Sequence, residues 1–451
     1  MHTDEVVCIL CPGMEYSTSA WSGGGWLLLP NVTDPDPLLY QLQMHAAEFN
    51  VSFDMLRARH FIQETQNAMD WLFNETGVYA EPVPSFSEVH QSPCSSVPSC
   101  CKDDQRFIPN HGVYSCDDSK RWYQDSGCCQ NTSQVLNAES TWPPYIHLKN
   151  QLQRKIMWLS DAHESNKDIL SVMNAMLPST VHRFFGENVE SITGNGAAWH
   201  IQMPSRTIDT RKIIFANGGF GARATTDELK QLAVEDTQYV HASGNTRILR
   251  DLAFELNWPQ EDLNAWFLEF ADGIPKWFLW EKAATVLDEN DTLVYDESMS
   301  YDQRGRVRQQ RNISRARLVY AGSSSTPPVE LSEVAWQRIT ASNPSKDCNT
   351  RSKRLWRNFL ASEYGIGSKV DIYNCSRRIE RSDTLVMQDL YQGIIDTISG
   401  PKVDERQQLI TDASVAVCGN AASPSLIGMY LAPGSTLGNA FVTGYISAKY
   451  L

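Results

Sequence analysis

The sequence predicts an α/β fold with a second domain inserted into the first and a separate Cys-rich insertion. Three observations carry this. Apolar runs of strand length alternate with helically spaced segments along most of the chain. At about residue 261 the composition shifts, and Trp266, Phe267, Phe270, Trp277, Phe278 and Trp280 crowd into fifteen residues. A polar window over about 88–140 interrupts the pattern and is too poor in apolar residues to build its own core.

In chain order, residues 5–10 read as a short buried strand stopped by Pro12-Gly13. Residues 17–25 form a small-residue loop. Residues 37–74 carry helical spacing, with Met55, Phe61, Ala68, Leu72 and Phe73 facing inward. After the Cys-rich window comes a helical stretch at 167–177. Residues 189–203 read as a strand pair turning at Gly194-Asn195-Gly196. A buried strand at 212–216 runs into Asn217-Gly218-Gly219-Phe220-Gly221, and helices follow at 226–233 and 246–256. The second domain spans 261–384. Beyond it, 385–397 reads as a helix, 415–417 as a strand and 437–450 as a closing helix.

Composition narrows the function classes. Of 451 residues, 42% are apolar and 20% charged, the balance of a globular chain. With 39 Lys+Arg against 53 Asp+Glu the net charge is −14, which disfavours nucleic-acid partners. No apolar run approaches the ~18 residues of a membrane span, so no transmembrane segment is expected.

Six of the 11 Cys lie in the polar window: Cys94, Cys100, Cys101, Cys116, Cys128 and Cys129. Three disulfides are the expected staples, among about 15 possible pairings. Zinc is the rival, but the window has no Cys-x-x-Cys pair and adjacent cysteines bite poorly on one ion. Asn-x-Ser/Thr acceptor sites occur at Asn31, Asn50, Asn74, Asn131, Asn290, Asn312 and Asn374. Both signals place the chain in the secretory pathway, in the endoplasmic reticulum lumen or outside the cell. The opening Met1-His2-Thr3-Asp4-Glu5 lacks the basic and apolar regions of a signal peptide.

Three constellations carry chemistry. Ser17 to Gly24 joins hydroxyls to glycines, which lets backbone and donors approach a bound group. The strand at 212–216 ends in a Gly-rich turn, where open α/β sheets place ligands. Residues 415–420 repeat that arrangement. They lead through Tyr430-Leu431-Ala432-Pro433-Gly434 to a helix opening on Ser435-Thr436-Leu437, whose free N–H groups suit an anion. Taken singly, each is explained as well by a surface loop, a tight turn or a helix cap.

Together and in this order they resemble the flavoprotein family of soluble fumarate reductases and 3-ketosteroid dehydrogenases. Residues 17–24 are similar to that family's Ser/Thr-Ala-x-Ser-Gly-Gly segment, and 216–220 to its Ala-Thr-Gly-Gly-Phe turn with Asn217 in place of Thr. Residues 397–404 resemble its Gly-Gly-Pro-x-x-Asp stretch, and Gly419-Asn420 its flavin-side Gly-Asn. The resemblance implies a Rossmann-like FAD-binding domain from 1–260 and 385–451, incomplete at its N-terminus, with an inserted α+β catalytic or cap domain at 261–384. It implies FAD contacts at Ser19, Ala20, Ser22, Gly23, Gly24, Ala216, Asn217, Gly218, Gly419, Asn420, Ser435, Thr436 and Leu437.

The loop before the closing helix resembles the Tyr-x-Gly-Pro-Gly of the ketosteroid branch, and 294–301 its Val-Asn-Glu-Ser-x-x-Tyr. That implies Tyr430 and the Gly434 N–H as the oxyanion pair and Tyr301 as the base, acting on a small apolar carbonyl compound, with the electron acceptor open. A phenol and an amide donor suit a forming enolate. A tyrosine base needs its pKa of about 10 lowered. Trp266, Phe270, Trp277, Phe278 and Trp280 would line an apolar site or form the second domain's core.

The sequence departs from the family in three places. Gly-x-Gly-x-x-Gly does not occur, Leu10-Cys11 stands where the family has Leu-Glu, and residues 84–90 lack its lid tyrosine. The first departure and the absent signal peptide share one expected cause, a sequence that starts late, and this chain is expected to hold FAD weakly or not at all. The alternative class is a secreted, non-catalytic relic of the fold that binds a partner through its Cys-rich segment.

One measurement tests the staples. Mass spectrometry of alkylated, unreduced protein should find the six window cysteines in three intrachain disulfides, each contributing roughly 2–4 kcal/mol. Six free thiols or stoichiometric zinc would reject the assignment.

Overall fold

A computed structural model describes residues 8–11, 25–29, 32, 34–76, 79–83, 107–108, 112–113, 145–149, 177–185, 188–194, 196–221, 224–232, 238–239, 247–271, 274–275, 284–295, 301–321, 331–341, 384–430 and 435–451. The six window cysteines and the stretches 12–24, 167–176 and 431–434 lie outside these residues.

The principal strands are β1 (Cys8–Cys11), β2 (Gly25–Leu27), β3 (Tyr79–Val83), β4 (Tyr145–Lys149), β5 (His182–Phe185), β6 (Ser191–Gly194), β7 (Trp199–Met203), β8 (Arg206–Thr210), β9 (Ile213–Phe215), β10 (Ala265–Ala271), β11 (Ala284–Asp288), β12 (Ala316–Ala321), β13 (Leu385–Thr397) and β14 (Asp412–Val417). The helices are α1 (Asp36–Phe49), α2 (Met55–Thr76), α3 (Thr226–Leu232), α4 (Ile248–Glu255), α5 (Tyr301–Gln310), α6 (Glu333–Ala341) and α7 (Ser435–Tyr450). Among the described residues no helix is long and apolar enough to cross a membrane.

Parallel pairing joins chain segments far apart in sequence. β1 pairs with β5, and β9 with β14 in the register Ile213 to Val415. Between them β6, β7 and β8 form an antiparallel meander. Its first turn carries Gly194 and Gly196 at positive φ, as the Gly-Asn-Gly signal predicts. Trp199, Ile201, Phe215, Val415 and Val417 from these strands pack on Leu249 and Leu252 of α4.

A six-stranded sheet holds β10, β11, β12 and β13. The stretch 385–397 is therefore a strand and not the helix the sequence suggests. Its first half pairs with β12 and its second with β10, and neighbouring residues such as Leu385 and Val386 or Gly393 and Ile394 are both buried, so both faces are covered and the period of two is lost. This sheet takes its longest strand from beyond residue 384.

The helical spacing of residues 37–74 is divided between two helices. Asn50 adopts a left-handed φ of 49° and caps α1 by donating to Ala46 and Ala47 carbonyls, while Asp54 Oδ1 caps α2 through the Leu56 and Arg57 N–H groups. Ala58, Phe61, Ala68 and Leu72 face the core, where they meet Leu426, Ile427, Leu437 and Ile446. Met55, the first residue of α2, is exposed, against expectation.

α5 has almost no apolar residue, yet Asp302, Arg304, Arg306 and Arg308 are buried. It lies flat on β10. A Cβ at Gly305 would fall 2.2 Å from Phe267 Cβ, so only glycine permits the contact. Gly305→Ala should therefore destabilise the protein by about 1–3 kcal/mol or prevent folding, read as a lower urea midpoint. An unchanged midpoint would mean that α5 does not sit this close.

Candidate functional site

The parallel strands β9 and β14 end side by side, and the Cys418 N–H donates to Phe215 O at 2.9 Å. Each strand then turns at a left-handed glycine, Gly218 at φ 71° and Gly419 at φ 61°. The first turn is pressed onto the end of β13. A Cβ at Gly219 would meet Thr397 O at 2.1 Å and Asp396 Oδ1 at 2.2 Å, and the Gly221 N–H donates to Thr397 Oγ1 at 2.9 Å. The second turn is tied to α7, where the Gly419 N–H donates to Thr443 Oγ1 at 2.8 Å. Asn439, also on α7, accepts the Ser425 N–H through Oδ1.

Asp396 sits where these pieces meet. It is fully buried and accepts Asn420 Nδ2 at 2.7 Å and the Thr397 N–H at 2.8 Å. Burial raises its pKa from 3.8 to about 7, against those two hydrogen bonds. Burial likewise pushes the Cys418 thiol up to about 12, so it is not a thiolate nucleophile.

The two tyrosines singled out in the sequence meet here. Tyr301 begins α5 and Tyr430 ends the 426–430 stretch; they are 1% and 8% exposed. Their ring centroids are 5.2 Å apart, and Trp266 packs edge-on to Tyr430 at 5.0 Å. Leu268, Phe270 and Ile398 complete the apolar cluster. Tyr295, from the same motif as Tyr301, turns elsewhere. Its hydroxyl donates to Glu269 at 2.5 Å, and burial with the Glu269 charge raises its pKa well above the ordinary value.

Of the residues assigned to a cofactor, Ala216 is exposed, Asn217 and Gly218 are half-buried, and Gly419, Asn420, Ser435 and Leu437 are buried, with Thr436 half-buried. Ser19, Ala20, Ser22, Gly23, Gly24 and Gly434 lie outside the described residues, as do Trp277, Phe278 and Trp280. A cavity of about 20 Å³ lies between Trp266, Phe61, Met429, Ser435 and Asn439. Three buried polar atoms in this region have no protein partner: Asn420 Oδ1, Asn439 Nδ2 and Trp266 Nε1. Buried polar groups ordinarily find a partner, so these three are candidates to meet a bound group. Among the described residues no group of His, Cys, Asp and Glu could hold a metal ion.

No protein-family model matches this chain, and no curated protein matches it in sequence. Solved structures do. The chain is similar to the 3-ketosteroid Δ1-dehydrogenase from Sterolibacterium denitrificans, solved with 1,4-androstadiene-3,17-dione, at TM-score 0.60 and 13% identity over 98% of this chain and 94% of that one. It is similar to the 3-ketosteroid Δ4-(5α)-dehydrogenase from Rhodococcus jostii RHA1 at TM-score 0.55 and 11% identity, over 99% and 98% of the two chains. A flavocytochrome c3 fumarate reductase matches at TM-score 0.50 and 9% identity, over 98% of this chain and 77% of that one. The likeness is one of fold.

Sequence reasoning missed Asp396, which it read as part of a helix. It also missed Asp302 and Arg306, although their i, i+4 spacing beside Tyr301 was a usable signal.

The Asp396 shift has a testable sign. Between about pH 4 and 7 the folded protein keeps a proton that the unfolded chain has released. The stability from this group is complete below about pH 4 and is lost as pH rises to about 7. Asp396→Asn should gain about a hundredfold to a thousandfold in folding equilibrium relative to the parent between pH 4 and pH 8. Equal urea-midpoint differences at both pH values would refute this.

Proposed function

We propose that this chain is an FAD-dependent oxidoreductase acting on a carbon–carbon bond alpha,beta to a carbonyl, of the 3-ketosteroid dehydrogenase type. One observation carries the reading: Tyr301 and Tyr430, far apart in sequence, meet at 5.2 Å in an apolar cluster near the start of α7.

Ser19, Ala20, Ser22, Gly23, Gly24, Ala216, Asn217, Gly218, Gly419, Asn420, Ser435, Thr436 and Leu437 would hold FAD, which when bound supplies the hydride acceptor. The Tyr430 hydroxyl and the Gly434 N–H donate to the substrate's carbonyl oxygen and stabilise charge that develops there. Tyr301 takes the proton from the carbon alpha to that carbonyl. Trp266, Phe270 and Ile398 exclude water and favour a hydrocarbon framework.

A dicarboxylate substrate is the second reading, because a fumarate reductase shares the fold. It needs cations at the substrate. The arginines of α5 are instead engaged with Glu269 and Asp302, which supports the apolar ketone.

The Cys-rich window and the acceptor sites support a secretory-pathway setting. The described acceptor asparagines, Asn50, Asn74, Asn290 and Asn312, are all exposed.

The test is bleaching of added FAD by a panel of 3-ketosteroids, and reoxidation by fumarate-like acceptors. Tyr430→Phe should lower turnover about a hundredfold to a thousandfold, and Tyr301→Phe about a hundredfold to ten-thousandfold. Flavin content should be unchanged in both. Parental rates in both variants would make the tyrosines structural, and reaction with dicarboxylates alone would move the chain to the fumarate reductase type.

A further inference from the structure

The two tyrosines sit on different pieces of chain, so something must set their separation. Asp302 joins those pieces. It follows Tyr301 directly and is wholly buried. Its Oδ1 accepts the Phe267 N–H of β10 at 2.9 Å, and its Oδ2 accepts the Tyr430 N–H at 2.9 Å and Arg306 Nε at 2.8 Å. Arg306 in turn donates to Ala265 O at 3.0 Å, to Gly428 O at 2.9 Å and to Asn264 Oδ1 at 3.2 Å. Asn264 Nδ2 closes the ring by donating to Gly428 O. One ion pair thereby binds the start of α5, the start of β10 and the loop that carries Tyr430.

A buried ion pair gains little net stability over a well-packed apolar pair. It does supply direction. A carboxylate one peptide bond from Tyr301 that accepts the Tyr430 N–H restricts both backbones at once. We propose that Asp302 is a positioning residue that sets the separation of the Tyr301 and Tyr430 rings, acting through the Tyr430 N–H and held in place by Arg306. The functional half of this rests on the reading of the tyrosines as the carbonyl-binding and proton-accepting pair.

The test uses the full chain labelled with 3-fluorotyrosine and followed by fluorine NMR. Y301F and Y430F assign the two resonances, and each substitution should shift the other's signal because the rings are in contact. D302N leaves Arg306 buried without its carboxylate, so D302N/R306Q, which removes both charges, is measured beside it. D302N/R306Q should shift the Tyr301 and Tyr430 resonances together and leave the Tyr295 resonance, assigned by Y295F, in place. If the Tyr301 and Tyr430 signals stay at their parental positions, the proposal is overturned.

The second readout is the affinity for 4-androstene-3,17-dione with FAD present, from tryptophan quenching. D302N/R306Q should weaken binding about tenfold, and Y430F should add less to it than it costs alone. Independent, multiplying losses overturn the proposal while leaving the tyrosine reading intact. Parental affinity in Y430F and Y301F refutes the tyrosine reading, and the resonance shifts then still decide whether Asp302 positions the rings.

Discussion

Every charge on α5 must find a partner, because the helix is buried and an unpaired buried ion costs several kcal/mol. That demand organises the centre of the molecule. Glu269 on β10 answers Arg304 and Arg308, Asp302 answers Arg306, and the remaining guanidinium N–H groups reach carbonyls at Leu390, Gly428 and Ala265. Strand, helix and loop are thus placed by directional bonds rather than by apolar fit alone. Gly305 makes the approach possible by leaving room for Phe267.

The apolar cluster around Tyr301 and Tyr430 is a product of the same arrangement. Trp266, Leu268 and Phe270 alternate along β10, so one face of that strand is apolar, and the buried Glu269 points the other way. A polar network on one side and an aromatic wall on the other come from a seven-residue strand. The phenols stand against the wall, while the backbone groups of Phe267 and Tyr430 are held by Asp302.

Much of this was legible in the sequence. The Gly-rich turns after β9 and β14, the meander turn and the closing helix have strong local signals, because glycine and capping chemistry act within a few residues. β13 was not legible as a strand. Burial on both of its faces removes the alternation that marks a half-buried strand, and what remains resembles helical spacing. Tyr301 and Tyr430 were found through their motifs, but not their contact, which depends on how β10 and α5 cross. Asp302 escaped because an aspartate beside a tyrosine looks like any solvated acid until its burial is known.

The long β13 has a mechanical consequence. Its first half is bonded to β12, its second to β10, and its last residue abuts Gly219 and receives the Gly221 N–H. A rod fixed at both ends and along its length cannot act as a hinge. Bending there would break ladder bonds and drive Gly219 into Thr397. Bending in this half of the molecule is therefore confined to segments outside the seam.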